Sequence, residues 1–463
     1  MRLVSWLSTP PRPIHFGLAA GCLAAVVIGT AVATALDGLL VFLALLLVAA
    51  ALVVAIFRPI TLFYMYCFAI PFNFVLPPGP AGTVARIAGL VFFVGYLVRR
   101  PDALRLNAAS VAGWLLVIWA LISTLWAVNT GTGFEMWQSL AQLFGITLLV
   151  ASVVAAEPAV VRPALWTYAA SATVTALISV YWYLQGVTSD AARAAAFADQ
   201  DPALFASLLL PAAIFLTDEV QSPVARTSLR AVAALALGAC SVALVLSGTR
   251  SAWVGILVAM GVWVIVRREP RQMLALAAMA CAIAILVAAV PGIGDFLFGR
   301  VQTGLATGAG RTDIWAVGIG MLAASPLTGV GFGNFPVAFT PYAIAQVSAA
   351  SGASGALFAG RGPHNVLLGI AVETGVLGGL LLVVFFASAL LPPTRDRTIT
   401  MVRVALISMF VQALFLDILL QKQLWLLLGI AFGLAASRRL ERLGGTQEPP
   451  VSRPAVSLAR RLT

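Results

Sequence analysis

The sequence predicts an all-α, polytopic integral membrane protein with about 12–14 transmembrane helices and one long outer loop. Three observations carry that prediction. The 463 residues are 61% hydrophobic and 10% charged, with a mean hydropathy of +1.01. An ordinary soluble domain holds about 25% charged and about 45–50% apolar residues. A globule of the observed composition lacks the polar groups to cover its own surface, which excludes a soluble enzyme, a disordered chain and a fibre. The apolar residues also fall in runs close to the roughly 20 positions that cross a hydrocarbon core. Finally, the basic residues concentrate on alternate connections.

In chain order the apolar runs lie near 17–36, 38–57, 60–76, 83–98, 111–128, 138–156, 163–184, 203–217, 229–247, 252–266, 273–290, 364–391, 399–420 and 423–436. Ala31-Val32-Ala33 resembles a signal cleavage site. The run before it exceeds the roughly 7–15 residues of a signal core and a second run follows at once, so the first is read as an anchor. The resulting divisions are a cytoplasmic leader (1–16), transmembrane helices with short loops (17–290), a long outer loop (291–363), C-terminal transmembrane helices (364–436) and a cytoplasmic tail (437–463). With the N-terminus inside, all but seven of the 28 Lys and Arg residues fall on the inner side. The seven outside are Arg86, Arg193, Arg250, Arg300, Arg311, Arg361 and Lys422. That bias is the positive-inside rule. The net charge of +11 therefore reflects topology and contact with anionic membrane lipid, and no nucleic-acid partner is expected.

Inside the long loop, Ile314, Trp315, Val317, Gly318, Met321 and Leu322 recur at helical spacing, which predicts a half-buried interfacial helix over 311–324. Pro326 and the run Gly329-Val330-Gly331-Phe332-Gly333-Asn334 follow; a tight turn accounts for them better than a phosphate cradle. Cys22, Cys67, Cys240 and Cys281 sit in apolar runs without ligand spacing and read as small core residues.

The charged outer residues are few, and three stand at or near helix starts. Arg193 lies in the loop ending Asp201-Pro202, an N-cap residue followed by a proline suited to the first helical turn. Arg250 sits in Ser247-Gly248-Thr249-Arg250-Ser251, a hinge of small residues between two spans. His364 follows Gly362-Pro363. Helix N-termini present free N–H groups and the positive end of a dipole to an anion, and a guanidinium grips phosphate oxygens in pairs. Each arginine alone also fits a snorkelling anchor, and the histidine a cap. Their coincidence on one membrane face favours an anion site with a neutral imidazole as base. At about 100° per residue, positions 364, 375 and 378 share one helix face, so His364 would head a small-residue stripe. Glu373 and Asp417 are the clearest intramembrane carboxylates, expected to be satisfied by an arginine or by backbone. Asp199 and Asp201 form the lone Asp-X-Asp of the outer loops, read as capping rather than metal binding.

His364-Asn365-X9-Gly375-XX-Gly378 resembles the signature of the bacterial O-antigen ligase family. So do Ser247-Gly248-Thr249-Arg250-Ser251 and Arg311 with Trp315, followed by Ser325-Pro326-Leu327-Thr328-Gly329-Val330-Gly331-Phe332-Gly333. That family shares a superfamily with O-antigen polymerases and bacterial O-oligosaccharyltransferases. The match spans about residues 190–380 and is looser over 193–209, where Asp201-Pro202-Ala203 stands in place of a frequent Pro-Asn. The resemblance implies a lipid-dependent, all-helical (GT-C-like) glycosyltransferase of the bacterial inner membrane with its active site facing the periplasm. It implies transfer of a glycan from undecaprenyl diphosphate, with inversion and without metal or other cofactor. The acceptor would be lipid A-core in a ligase, a growing glycan in a polymerase, or a protein. Arg250 and Arg193 would hold the diphosphate and His364 would position or deprotonate the acceptor hydroxyl, with Arg311, Asn365 and Arg361 in support. A transporter or lipid flippase would instead show paired broken helices and an inverted repeat, and no repeat is visible.

The topology is open to a direct test. Cysteines placed at Ala309 and Arg442 and probed with an impermeant thiol reagent in intact spheroplasts should give labelling at Ala309 and none at Arg442. The reverse pattern overturns the assignment.

Overall fold

The computed structural model describes residues 59–74, 83–99, 108–188, 193–197, 200–267, 311–350, 361–391, 394 and 396–444. The leader, the spans expected at 17–36, 38–57 and 273–290, residues 291–310 and 351–360 of the long loop, the tail beyond 444, and Cys22 and Cys281 lie outside them. Among the described residues there are thirteen α-helices and no strand. They are α1 (Pro59–Ala69), α2 (Val84–Arg99), α3 (Ala108–Ser123), α4 (Thr130–Ala156), α5 (Val161–Leu184), α6 (Pro202–Val220), α7 (Thr227–Leu246), α8 (Arg250–Arg267), α9 (Arg311–Ala324), α10 (Phe335–Ala350), α11 (Val366–Leu390), α12 (Arg397–Ala413) and α13 (Lys422–Gly444). Five segments have the length and hydropathy to cross a bilayer: Thr130–Ala156, Pro158–Leu184, Pro202–Val220, Thr227–Leu246 and Val366–Leu390. The chain is an all-helical polytopic membrane protein, as its composition predicts.

The core forms where small residues let helices approach. α13 lies along α4, and a Cβ on Gly429 or Gly433 would stand 2.8 Å from the Thr147 carbonyl oxygen or 2.7 Å from that of Ala151. Close backbone approach of this kind is how helices gain packing in lipid, where hydrophobic transfer offers little. The Thr147 hydroxyl, 3.0 Å from the Trp425 carbonyl, stands across the same seam. Beside it Phe385 of α11 meets Phe144, Trp425 and Phe432 at ring separations of 5.9, 5.8 and 5.5 Å.

Charges gather at the end assigned to the cytoplasm. Asp218 and Glu219, both buried at the end of α6, pair with Arg162 of α5. Arg397 of α12 donates from Nε to the Asp218 carboxylate at 2.8 and 3.0 Å, and Arg438 of α13 pairs with Asp396. The three arginines come from separate connections that charge bias places inside, and here they meet at one end of the bundle.

Three boundaries differ from the sequence reading. The span expected over 399–420 ends as helix at Ala413, which leaves Asp417 in the connection between α12 and α13, where its Oδ1 accepts the Leu419 N–H at 3.4 Å. The run expected from 364 begins as helix at Val366, because Asn365 is the N-cap: its Oδ1 accepts the Leu368 N–H at 2.9 Å. The long loop is largely built structure. α9 falls on the expected 311–324 and buries Ile314, Val317, Gly318 and Met321. α10, unforeseen, closes a second small core through Phe335 and Phe339.

α11 is also broken. Gly375 has φ 74° and ψ 176° inside the helix, so 364, 375 and 378 do not form one helical stripe. The turn-rich segment covers the break: Val330 N–H donates to the Val372 carbonyl at 3.0 Å, Gly331 N–H to Glu373 at 2.8 Å, and Val376 N–H to Pro326 at 2.9 Å. Trp119 Nε1 of α3 donates to the Thr374 carbonyl at 2.8 Å. The glycine run is thus a turn seated on unwound backbone, and Glu373 is satisfied by backbone, accepting the Phe335 N–H at 3.0 Å.

Gly186 supplies a control for this clamp, since its φ is also 74° yet a Cβ there meets nothing within 4 Å. Gly186→Ala should cost only the left-handed penalty of about 1–2 kcal/mol. Gly375→Ala should cost clearly more, because its Cβ would fall 2.1 Å from the Leu327 carbonyl oxygen. Thermal midpoints in one detergent compare the two; equal shifts would mean that the clamp yields freely.

Candidate functional site

The site is assembled from helix starts. α6 opens at Asp201, whose Oδ1 accepts the N–H groups of Ala203 at 2.5 Å and Leu204 at 3.4 Å, with Pro202 in the first turn. This is the cap-and-proline pattern legible at 201–202. α8 opens at Arg250 after a turn in which Gly248 adopts φ 60°. α9 opens at Arg311 and α11 just after His364-Asn365. Each start leaves N–H groups and positive dipole ends at the outer end of its helix.

Arg193 braces the hinge before α8. Its Nε donates to the Ser247 carbonyl at 2.8 Å and its Nη2 to Thr249 Oγ1 at 3.0 Å, while Ala194 N–H donates to the Leu246 carbonyl at 3.0 Å. Thr249 Oγ1 donates in turn to the Pro202 carbonyl at 3.2 Å. Arg193, the 247–250 hinge and the start of α6 are therefore one connected unit, with Arg250 next in chain to Thr249. Two buried polar groups flank the same starts without a hydrogen-bond partner among the described residues: Ser251 Oγ and Gln200 Nε2. Sequence reasoning gave neither a role, although Ser251 lies in the hinge motif and Gln200 beside the cap.

His364 has φ 46°, the left-handed region, and is the one non-glycine residue with positive φ among those described. Such a conformation costs about 1–3 kcal/mol and collects at functional sites. It is held by its neighbours: the Pro363 carbonyl accepts from Trp315 Nε1 of α9 at 3.2 Å, and Asn365 is locked as the cap of α11. With Asn365 capping, His364 is freed from that work. Its pKa is lowered, chiefly by burial and then by Arg311; Asp201 opposes the shift and Arg361 adds to it. The geometry therefore brings His364, Arg311, Arg361 and Asp201 into one electrostatic neighbourhood that disfavours the charged imidazole. Asp201 was legible only as a cap; its second role depends on the α6 start lying beside residues 361–364.

The α12–α13 connection lines the other side. Phe415 meets the Trp315 ring at 6.2 Å, and Gln412 Nε2 donates to the Ala203 carbonyl at 3.4 Å. Glu373 and the glycine run lie in the clamp, apart from these groups. Among the described residues no group of three His, Cys, Asp or Glu side chains is placed to hold a metal ion. Asp199, the partner of Asp201 in the Asp-X-Asp pattern, is outside the described residues.

Residues 233–383 match the family model described as O-antigen ligase. No curated protein matches the chain. The matched stretch contains the hinge with Arg250, α9 with Arg311 and Trp315, the clamp, and His364-Asn365. Arg193 and Asp201 lie before it, so their membership of the site rests on the hydrogen bonds and electrostatics above.

The chain has two histidines, so a His15→Gln variant leaves His364 as the lone imidazole for an NMR titration. Its midpoint should lie below the ordinary value of about 6.5. Arg311→Gln, which removes a cation, should raise the midpoint, and Asp201→Asn, which removes an anion, should lower it further. The folded state prefers the neutral ring, so the stability it contributes is present above pH 6.5 and is lost as the pH falls below it. A midpoint at or above 6.5, unmoved by either variant, would dissolve the cluster.

Proposed function

We propose that this chain, a membrane protein whose residues 233–383 match the O-antigen ligase family model, moves a glycan from undecaprenyl diphosphate to an acceptor hydroxyl on the periplasmic face of the bacterial inner membrane. The acceptor in this reading is lipid A-core. The observation that carries it is the hydrogen-bonded link of Arg193, the hinge before Arg250 and the α6 start, with Asp201 at that start in the electrostatic neighbourhood of Arg311 and His364. Dipole ends and guanidinium groups favour a diphosphate, and a neutral imidazole at the same place suits a hydroxyl that must lose its proton.

In the proposed reaction the acceptor oxygen attacks the anomeric carbon as the bond from that carbon to the diphosphate oxygen breaks. The new bond forms on the opposite face, which inverts the anomeric centre. His364 takes the hydroxyl proton, and the electron pair of the broken bond leaves on the lipid diphosphate. Arg250 at the start of α8 is assigned to the diphosphate oxygens, where charge develops. Arg193 is assigned to the same anion through the hinge it braces, with Arg311 and Arg361 supporting the charge balance around His364. The activated donor brings the driving force, so neither a nucleotide nor a metal enters the scheme. A repeat-unit polymerase or a protein glycosyltransferase would use the same donor and base and differ in the acceptor.

Purified protein supplied with a lipid-diphosphate-linked glycan should transfer it to added lipid A-core, with EDTA leaving the rate intact. His364→Ala should lower transfer by about 10²–10⁴-fold, the worth of a general base. Arg250→Lys should also lose most of the activity although it keeps the charge, because an ammonium cannot grip two oxygens in a plane. Wild-type rates in both variants would remove this site from the reaction. Product formed only on glycan ends, with none on lipid A-core, would replace ligation by polymerisation.

A further inference from the structure

A second cavity of about 590 Å³ lies apart from the residues above, between α2, α4 and the start of α13. Its buried lining is apolar, including Leu143 and Ile146, and its rim carries the exposed Arg86 and Gln142 together with Lys422. Among the described residues no carboxylate lines it. Arg86 donates from Nε to Gln142 Oε1 at 2.9 Å, which fixes the guanidinium at the rim, and Lys422 is close enough to be repelled by it. Two cations facing one cavity, with no carboxylate among its described lining, favour an anion between them. An independent sign of a missing polar group lies deeper. Tyr66 of α1 lines the cavity, is only 1% exposed, and its hydroxyl is buried with no hydrogen-bond partner among the described residues.

We propose that this cavity binds the anionic phosphate headgroup of a membrane lipid, with Arg86 and Lys422 on the phosphate, the Tyr66 hydroxyl bonded to the ligand below it, and the lipid chain along the apolar faces of α2 and α4. The inner lining suits hydrocarbon and the outer rim suits an anion, so a lipid satisfies both where a free anion satisfies only the rim. Arg86 and Lys422 both belong to connections that charge bias places outside, so the lipid comes from the outer leaflet. The α12–α13 connection joins this cavity to the candidate site: Leu420 and Lys422 line the cavity, while Phe415 meets Trp315 beside Pro363. The binding claim is independent of the chemistry assigned above.

The test uses the purified full chain in a neutral detergent, with native mass spectrometry and thermal midpoints as readouts. Dioctanoyl phosphatidic acid should bind and raise the midpoint, while dioctanoyl phosphatidylcholine and inorganic phosphate at equal concentration should do neither. Tyr66→Phe removes a hydroxyl that bonds no described residue, so its midpoint without lipid should match wild type. Its apparent affinity for phosphatidic acid should fall about tenfold, the scale of one hydrogen bond to a charged group. Lys422→Gln should weaken binding at least as much. Equal binding of phosphatidylcholine, inorganic phosphate acting as well as phosphatidic acid, or wild-type affinity in Tyr66→Phe would each overturn the proposal.

Discussion

The break at Gly375 is the constraint from which the outer half of the molecule is organised. A helix interrupted within a membrane protein exposes backbone groups that lipid cannot satisfy, and each one left unpaired costs several kcal/mol. Here the carbonyls of Val372, Glu373 and Thr374 and the N–H of Val376 are met by Val330, Gly331, Trp119 and Pro326. Satisfying the break therefore fixes residues 326–331 against α11. Glu373 extends the same logic by accepting the first N–H of α10. α9 is held against α11 from the other side of the turn, and Trp315 on α9 reaches the Pro363 carbonyl. The left-handed backbone of His364 is supported through this chain of contacts, so the clamp and the site are mechanically one object.

The electrostatics of the site come from backbone as much as from side chains. Helix starts deliver partial positive charge without a titrating group, and the neighbouring guanidinium groups add fixed charge. Burial and Arg311 together lower the pKa of His364, against the opposing pull of Asp201. Residues 233–383, which hold Arg250, Arg311 and His364, are the stretch similar to the O-antigen ligase family model. The choice among acceptors belongs to the reading proposed above.

The opposite end of the bundle is stabilised differently. Asp218 is almost fully buried and is approached by both Arg162 and Arg397. Breaking such a buried set by removing one partner typically costs about 3–5 kcal/mol, because it strands a charge. These pairs tie α5, α6 and α12 together at one end, away from the candidate site. The other end can then carry strained backbone and polar groups such as Ser251 Oγ and Gln200 Nε2 that have no partner among the described residues. Stability is concentrated at one face and chemistry is assigned to the other.

By itself, the sequence determined the membrane class and the placement of most helices, because both follow from local quantities: apolar run length and the side on which arginines collect. It also determined the cap at Asp201-Pro202, the half-buried helix over 311–324 and the turn nature of 329–334, each a matter of a few neighbouring residues. Family resemblance added the names of His364, Arg250 and Arg193. Only the tertiary structure decided what joins them. Helical periodicity put 364, 375 and 378 on one stripe, since it assumes continuous helix, and the φ of 74° at Gly375 is sustained by partners some 45 positions earlier in the chain. The bracing of the Arg250 hinge by Arg193, the pull of Asp201 on His364, and the cavity shared by Arg86, Lys422 and Tyr66 join residues far apart in sequence. Such groupings are set by how helices pack, and packing is a property of pairs of surfaces that no single segment encodes.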